Sequence, residues 1–246
     1  MKLSLIISSF NQHKRLKRCL DSAVNLKTEF ADNIEVIIAD DNSNDGSREL
    51  IEEYSQIKLS TNDNSKTNTY TLAENWNHAV LNHATGDRVI FTNGDHILTP
   101  RFADHHADPI MENDIIFGPA YQSTSQSLQY IEDESINYLE LVKRLEKEKM
   151  ITPDRHAEGS AMTYNKTWQY WFPFGYNFSV RRDHFKTVGG FPPVREWGGE
   201  EALLCKRIID EFPDVKVKSN CNTVAIHQFH PIVNHEGLYG GDNYRF

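Results

Sequence analysis

Two adjacent carboxylates follow an apolar, β-branched stretch early in the chain. Residues 34–39 have the composition of a buried strand, and Asp40 and Asp41 come directly after it. Open α/β sheets bind ligands outside the carboxyl ends of their strands, which is where this order of residues places the two aspartates. Because like charges repel, these carboxylates suit the sugar and base of a nucleotide, or a divalent cation shared with phosphates, better than phosphate itself. The pair therefore indicates a nucleotide-sugar site.

Two other interpretations of this acidic stretch remain open at the level of sequence. Residues 41–52 have the ligand spacing of an EF-hand loop, but such a loop needs an incoming helix and here a strand-like run enters. Alternatively, Asp40 and Asp41 cap the following helix or shape a turn.

A second acidic site follows the apolar run of residues 88–92. It consists of Asn93, Gly94, Asp95 and His96. The glycine allows a tight turn and a close approach by a ligand. A single carboxylate with one or two distant ligands would leave positions on Mn²⁺ or Mg²⁺ for diphosphate oxygens. The alternative is a plain turn, because Asn-Gly is a common turn pair.

Histidines end another apolar run near residue 224. A histidine at the end of a strand is more often a surface residue or a satisfied core residue than a ligand. Taken with Asp95, however, a neutral imidazole is suited to complete a metal site. His227, at the end of the predicted strand, is the first candidate, and His230 is the second.

A third polar site opens a helix near residue 200. Trp197 offers a flat apolar face on which a sugar can stack, and Gly198 and Gly199 let the backbone approach a ligand. Glu200 and Glu201 point in different directions from one helical turn, so one could hold an acceptor hydroxyl while the other removes its proton. The alternative is simple capping, because the helix dipole favours acidic residues there.

The elements that must position these residues alternate between strand and helix. Hydrophobic periodicity predicts strands at residues 2–8, 34–39, 57–60, 88–92, 114–118, 176–180, 215–218 and 223–227, and helices at 46–54, 71–83, 136–149 and 200–212, besides one that carries Leu16, Leu20 and Val24. This alternation predicts an α/β fold with a mostly parallel, Rossmann-like sheet flanked by helices, followed by an irregular half. We expect a single domain over residues 1–246, with a nucleotide-binding half at 1–100 and an acceptor-binding half at 101–246.

Composition narrows the function classes further. The net charge of −9 makes nucleic acid an unlikely partner by basic-face binding. The three cysteines have neither disulfide-framework nor zinc-site spacing, which favours a reducing compartment. No stretch approaches the length of a transmembrane segment, and residues 1–7 are too short for a signal peptide. We therefore expect a cytoplasmic protein.

With these sites in chain order, the sequence resembles the family 2 glycosyltransferases of GT-A fold. The most specific stretches are SLIISSFN at residues 4–11 and DDNSNDGS at 40–47, and the likeness continues over 75–86, 88–91 and 93–100. Residues 189–191 (GGF) and 197–201 (WGGEE) are similar to the galactosyl- and N-acetylgalactosaminyl-transferring branches.

The resemblance implies roles for individual residues. It implies that the nucleotide sugar contacts a set made of Ser8, Phe10, Asp40, Asp41, Asn75, Asn93, Gly94 and Asp95. Asp41 would recognise uracil, and Asp95, as the last acidic residue of the DxD motif, would bind the metal together with His227. Glu201 would be the catalytic base, while Glu200 would hold the acceptor with Trp197, Gly198 and Gly199.

Two positions depart from the family pattern. Asn93 replaces the first aspartate of DxD, and Glu201 stands where an aspartate is usual. The function that the resemblance implies is metal-dependent, inverting transfer of a sugar from a UDP-sugar to the hydroxyl of a glycan or other acceptor. The alternative is a noncatalytic sugar- or nucleotide-binding module that retains the fold. A nucleotidyltransferase fits less well, because the loop after the first strand has no glycine.

Overall fold

The computed structural model describes residues 1–62, 71–133, 135–153, 162–165, 170–173, 177–193, 200–220 and 223–230. The strands are β1 (Lys2–Ser9), β2 (Asn33–Asp40), β3 (Ile57–Thr61), β4 (Arg88–Asn93), β5 (His96–Leu98), β6 (Ile115–Phe117), β7 (Ala120–Ser123), β8 (Ile151–Pro153), β9 (Met162–Asn165), β10 (Tyr170–Pro173), β11 (Asn177–Arg181), β12 (Val217–Ser219) and β13 (Ala225–His227). The α-helices are α1 (His13–Ala23), α2 (Ser47–Glu52), α3 (Leu72–His83), α4 (Phe102–His106), α5 (Leu128–Ile131), α6 (Tyr138–Lys147), α7 (Arg182–Thr187) and α8 (Glu200–Glu211). Two short 3₁₀ helices lie at Pro109–Met111 and Ser125–Ser127.

The main sheet has seven strands in the order β12-β6-β11-β4-β1-β2-β3. Strands β1 to β4 pair in parallel, and β11 is antiparallel to both of its neighbours. The central strands are apolar along most of their length because helices cover both faces of the sheet. The predicted mostly parallel α/β sheet is therefore confirmed.

Aromatic side chains fill one face of this sheet. Trp76 of α3 packs against Phe91 of β4, and both rings contact Phe191. Leu204, Cys205 and Ile208 of α8 belong to the same core, so α3 and α8 cover the same face. On the other face, Leu16 and Leu20 of α1 pack with residues of β1 and β2.

A second sheet of four strands, in the order β5-β13-β7-β8, lies beside the carboxyl end of β4. Its short strands were not all predicted: β5 and β7 have three and four residues, too few for a periodic pattern. Strand β13 pairs with β5 so that His227 lies opposite His96. A chain segment from the irregular half is thereby brought to the end of the nucleotide-binding half.

Two further findings concern the cysteines and the membrane. Cys19 and Cys205 are free thiols buried in the core, and Cys221 lies outside the described residues. Within the described part of the chain, no helix combines the length and the apolar character needed to cross a bilayer.

Candidate active site

The polar residues that follow β1, β2 and β4 meet at one edge of the main sheet. Ser9 pairs with Asp40 and Ser8 pairs with Asn93, so these strands end side by side. The two loops beyond β1 and β2 are hydrogen-bonded to each other, because the Asn11 amide donates to Ser43 Oγ at 3.0 Å. These three strands therefore bring Asp40 and Asn93 to the same edge of the sheet.

Asp40 is fully buried and shapes the loop after β2. Its Oδ2 accepts from the Ser43 amide at 2.9 Å and from Arg48 Nε at 2.8 Å, and its Oδ1 accepts from Ser43 Oγ at 2.5 Å. A strand leads into this loop, which excludes the EF-hand interpretation. These contacts fix the conformation of the loop, and with it the position of the neighbouring Asp41.

Asp41 lies at the end of a short polar chain that reaches α3. Its Oδ2 accepts from Thr71 Oγ1 at 2.5 Å, and Thr71 Oγ1 in turn lies 3.4 Å from Asn75 Nδ2. Asp41 Oδ1 and Asn75 Oδ1 are buried atoms without a hydrogen-bond partner among the described residues. Buried acceptors without a donor are costly. Both oxygens are therefore suited to accept from N–H or O–H groups of a ligand.

Asn93 and Gly94 are fixed by the end of β1. Ser8 Oγ donates to Asn93 Oδ1 at 2.7 Å, and the Gly94 amide donates to the Ser8 carbonyl at 2.8 Å. A Cβ at Gly94 would lie 2.3 Å from Gln12 Nε2, a separation that real Cβ atoms do not show. Gln12 could move away, but the same Cβ would also lie 3.0 Å from the Ser8 carbonyl oxygen, a tight contact with the backbone.

Phe10 projects from the loop after β1. Nearly half of its surface, 49 %, is exposed, which is unusual for a large apolar side chain. It immediately precedes Asn11, whose positive φ of 47° turns the chain into α1. The ring is available for contact with a base at this edge, and its role in nucleotide binding stays a prediction.

Asp95 is surrounded by three histidines from two strands and the segment that follows them. Its Oδ2 lies 3.2 Å from His227 Nε2 and 3.7 Å from His230 Nε2, and its Oδ1 lies 3.0 Å from His96 Nδ1. The two distal nitrogens, Nε2 of His227 and Nε2 of His230, are 3.2 Å apart. The structure therefore brings both sequence candidates, His227 and His230, to the carboxylate.

Hydrogen bonds hold this histidine segment against the end of β4. The Gln228 amide donates to the Asp95 carbonyl at 2.9 Å, and Gln228 Nε2 donates to the Arg15 carbonyl at 2.9 Å. The Phe229 amide donates to Ser123 Oγ at 2.7 Å. Three separate elements, α1, β7 and the turn after β4, thus fix the position of the imidazoles.

The atoms around Asp95 fit a divalent cation. One carboxylate oxygen and two imidazole nitrogens lie within 4.8 Å of one another. Ligands that sit about 2.1 Å from one ion are separated from each other by roughly 3 to 3.5 Å. Two of the three separations, both 3.2 Å, fall within that range, and the third, 3.7 Å between Asp95 and His230, lies slightly beyond it.

The charge of Asp95 also suits a cation. Burial raises the pKa of this carboxyl, but hydrogen bonds from the three surrounding histidines outweigh burial and hold the pKa well below its usual range. Asp95 is therefore ionised at neutral pH.

Glu200 and Glu201 open α8, and both side chains are buried. The chain after α8 returns to the amino end of β6, where the Ile115 amide donates to the Lys216 carbonyl at 2.9 Å. A helix of 12 residues is about 18 Å long, so the opposite end of α8 lies toward the carboxyl edge of the sheet. The acidic pair therefore lies at the end of α8 that is farther along the chain from the Ile115–Lys216 contact.

Burial and the neighbouring charge of Glu200 raise the pKa of Glu201 well above that of an ordinary glutamate. A carboxyl whose pKa is raised toward the working pH is a better proton acceptor when ionised. Of the predicted acceptor-binding residues, Trp197, Gly198 and Gly199 lie outside the described residues.

Sequence reasoning gave no role to three side chains that the structure places next to the predicted site. These are Thr71, between Asp41 and Asn75; His96, beside Asp95; and Gln122, which contacts His227. His96 directly follows Asp95 in the sequence, so its type and position were a usable signal. Thr71 and Gln122 carry no local signal, because their roles depend on which strands become neighbours.

Comparison with known proteins places the chain among glycosyltransferases. The sequence profile described as glycosyl transferase family 2 matches residues 4–189, which is more than half of the chain. Comparison with curated proteins gave no significant sequence match.

Several solved structures share the fold. GalNAc-T7 with UDP, GalNAc and Mn²⁺ superposes with a TM-score of 0.67 at 14 % identity, covering 94 % of this chain and 44 % of that one. TarS 1–349 of S. aureus in complex with UDP-GlcNAc gives 0.61 at 16 % identity, covering 94 % and 59 %. The mannosyltransferase PcManGT from Pyrobaculum calidifontis, with GDP-Man and Mn²⁺, gives 0.58 at 16 % identity, covering 91 % and 56 %. The chain thus spans 44 to 59 % of the length of these structures, which share its GT-A fold.

Proposed function

The chain belongs to glycosyl transferase family 2, and from that premise we propose that it transfers a sugar from a UDP-sugar to an acceptor hydroxyl, with inversion at the anomeric carbon. The observation that carries the proposal is the convergence of Asp95, His227 and His230 at the sheet edge that also presents Asp41. Open α/β sheets bind their ligands at this edge.

Recognition of the nucleotide rests on Asp41. Its Oδ1 is a buried acceptor without a donor among the described residues, whereas Thr71 already satisfies Oδ2. Uracil presents an N3–H donor on its pairing edge, and cytosine has no hydrogen at N3. The uracil N3–H can therefore supply the hydrogen that this carboxylate oxygen lacks, and the exposed ring of Phe10 is available to the base.

Asp95, His227 and His230 would hold the cation, Mn²⁺ or Mg²⁺. When bound, such an ion neutralises charge that develops on the departing diphosphate. Two structures of the same fold, GalNAc-T7 and PcManGT, contain Mn²⁺, which supports the assignment. Asn93, whose side-chain oxygen accepts from Ser8, serves here to fix the turn that carries Asp95.

Glu201 supplies the base of the reaction. It removes the proton of the acceptor hydroxyl as that oxygen attacks the anomeric carbon from the face opposite the diphosphate, and the bond from carbon to diphosphate oxygen breaks to release UDP. Attack from the opposite face inverts the configuration. The raised pKa of Glu201 suits this role, and Glu200, with Trp197, Gly198 and Gly199, holds the acceptor.

The donor class proposed is that of the galactosyl- and N-acetylgalactosaminyl-transferring branches. The support is the sequence Trp-Gly-Gly-Glu-Glu at residues 197–201, together with the GalNAc-T7 fold match. The acceptor is a glycan or another molecule with a free hydroxyl.

Calorimetric titration of UDP, with and without Mn²⁺, into the wild type and Asp95→Ala tests the proposal. We expect Mn²⁺ to strengthen UDP binding in the wild type and to have little effect in Asp95→Ala. GDP and CDP are titrated under the same conditions and compared with UDP. If GDP binds and UDP does not, the donor class is wrong, and if no nucleotide binds under either condition, the transferase proposal fails.

The second candidate function is a noncatalytic binding module of the same fold, which the Asn93 and Glu201 departures favour. Glu201→Gln separates the two. In an enzyme this variant loses turnover and keeps its affinity for UDP, whereas a binding module is unchanged in every measurable respect.

A further inference from the structure

Gln122 makes a side-chain contact with His227, one of the three histidines beside Asp95. Strands β7 and β13 pair in parallel with Gln122 opposite His227, so both side chains leave the small sheet on the same face. Gln122 Oε1 lies 2.5 Å from His227 Nδ1. The other ring nitrogen, Nε2, is the one that faces Asp95, at 3.2 Å.

The chemistry of the amide determines which ring nitrogen carries hydrogen. A carbonyl oxygen can only accept, so His227 Nδ1 must be the donor in this contact. Gln122 Nε2 lies 3.4 Å from the Ser123 carbonyl, to which only the amide's NH₂ group can donate, and this contact supports the orientation with Oε1 toward the ring. Before a cation binds, His227 Nε2 also donates to Asp95 Oδ2. When a cation takes the place of that hydrogen, Nδ1 keeps its own hydrogen and Nε2 has the lone pair.

We propose that Gln122 is a positioning residue that holds His227 in the Nδ1–H tautomer, so that Nε2 is available as a cation ligand. The inference rests on the cation site of the proposed function. Without Gln122 the neutral ring can place its hydrogen on either nitrogen, and the fraction with hydrogen on Nε2 cannot bind a cation there. Ligating histidines commonly depend on such a partner for the orientation of the ring.

Gln122 can be replaced without detaching the histidine segment from the small sheet. The histidine segment stays attached without this side chain, because β13 keeps its backbone pairing with β5 and β7, and Phe229 keeps its bond to Ser123. Gln122→Met preserves length and removes the acceptor. Gln122→Glu restores an acceptor at the same distance, and carboxylates are common partners of ligating histidines.

The test is Mn²⁺ affinity in the absence of nucleotide, measured from the loss of the free-ion signal in electron paramagnetic resonance. Gln122→Met should weaken Mn²⁺ binding by about 10- to 100-fold, and Gln122→Glu should keep or raise the wild-type affinity. Gln129→Met is the matched control, because Gln129 is an exposed glutamine on α5 that contacts Gln126. Thermal unfolding in chelator identifies any variant that fails to fold.

A second measurement tests the tautomer directly. Two-bond ¹⁵N–¹H spectra of histidine-labelled, metal-free protein at pH 8 should show hydrogen on Nδ1 of His227 in the wild type. In Gln122→Met the same ring should keep hydrogen on Nε2, where Asp95 accepts it, and should lose hydrogen from Nδ1. The signals of His227 are assigned by their absence from the spectrum of His227→Gln.

The outcomes separate this inference from the function on which it rests. Equal Mn²⁺ affinity in the wild type and a folded Gln122→Met overturns the role of Gln122 and leaves the transferase proposal standing. If the wild type binds UDP but not Mn²⁺, the proposed cation site is wrong and the role of Gln122 falls with it. The proposed nucleotide site is not affected by that result. If Gln122→Met weakens Mn²⁺ binding and Gln122→Glu weakens it as much, the side chain has a packing role and the proposal is overturned.

Discussion

One carboxylate and two imidazoles form the candidate cation site at the end of β4. Oxygen ligands alone would suit Mg²⁺, which binds nitrogen donors poorly, whereas imidazole is a good ligand for first-row transition metals. If the site binds a cation, this donor set predicts a preference for Mn²⁺ over Mg²⁺.

We predict that Mn²⁺ binds at least roughly tenfold more tightly than Mg²⁺, because two of its three protein ligands are nitrogens. His230→Ala should reduce the affinity for Mn²⁺ more than that for Mg²⁺. Competition titrations of the two ions measure both quantities, with the exposed His13→Ala as the control. Equal loss for the two ions would remove His230 from the ligand set.

The charge of Glu200 is predicted to set the pH dependence of catalysis. Burial and that charge raise the pKa of Glu201, so the ionised base forms at a higher pH than in an ordinary glutamate. Activity should rise with pH as Glu201 loses its proton, and Glu200→Gln should move this rise to lower pH. The measurement is kcat/KM against pH, and an unmoved acidic limb in Glu200→Gln would show that another group titrates.

The site residues that could be predicted from the sequence are those that follow an apolar run. Asp40, Asp41, Asp95 and His227 all follow such runs, and strand ends meet at one edge of a parallel sheet whatever the details of packing. Gln122 could not be selected in this way. Its contact with His227 depends on the register between two strands that lie 105 residues apart.

At the scale of elements, a buried arginine joins α1 to the segment between α5 and α6. Arg18 Nε donates to the Ile131 carbonyl at 2.8 Å, and its Nη1 donates to the Ile136 carbonyl at 2.8 Å. Nη2 donates to the Asp133 carbonyl at 2.5 Å. The guanidinium thus satisfies backbone acceptors at the end of α5 that the helix itself leaves free. It also attaches the segment before α6 to α1.

Arg18→Met should destabilise the protein by about 2–4 kcal/mol, because the stem still fits while buried carbonyls lose their donors. The free energy of unfolding in urea measures the effect. The control is Arg144→Met on α6, since Arg144 is exposed and pairs with Glu140 on the same helix. A loss in Arg18→Met no larger than that of the control would contradict the role assigned to Arg18.

Elements were predicted well where their length gave a pattern. The central strands β1, β2 and β4 are long β-branched runs, and α3 and α8 each carry an apolar face over 12 residues. The strands of the small sheet were largely missed, because three or four residues do not establish a period of two. The positions of β5 and β7 depend on pairing with β13, a long-range contact that a local pattern cannot predict.

At the scale of the whole molecule, a buried polar network lies behind the aromatic core. His106 is fully buried, with Nε2 2.9 Å from Asn177 Oδ1 and Nδ1 3.0 Å from Ser179 Oγ. Ser179 also accepts from Arg88 Nη1 at 2.8 Å. Burial lowers the pKa of His106 to about 3, because the charged imidazolium would be poorly solvated there.

This network predicts a loss of stability in acid. The native state keeps His106 neutral, whereas the unfolded chain binds a proton below the ordinary value of 6.5. The contribution is therefore complete above pH 6.5 and is lost as the pH falls from 6.5 toward about 3.

In that window His106 should make the free energy of unfolding fall by about 1.4 kcal/mol per pH unit. The difference in slope between the wild type and His106→Gln isolates the effect in urea unfolding at several pH values, with His13→Gln as the exposed control. Parallel slopes for the wild type and His106→Gln would contradict it.

Asp95 and His227 are 132 residues apart in the sequence, although they contact each other in the folded protein. Ribosomes release a chain from its amino end, and the early part of a protein can fold while the rest is still being made. The strands that carry the proposed nucleotide site therefore emerge long before the second proposed ligand of the cation. The order of synthesis thus leaves the proposed cation site incomplete until residue 227 has been made.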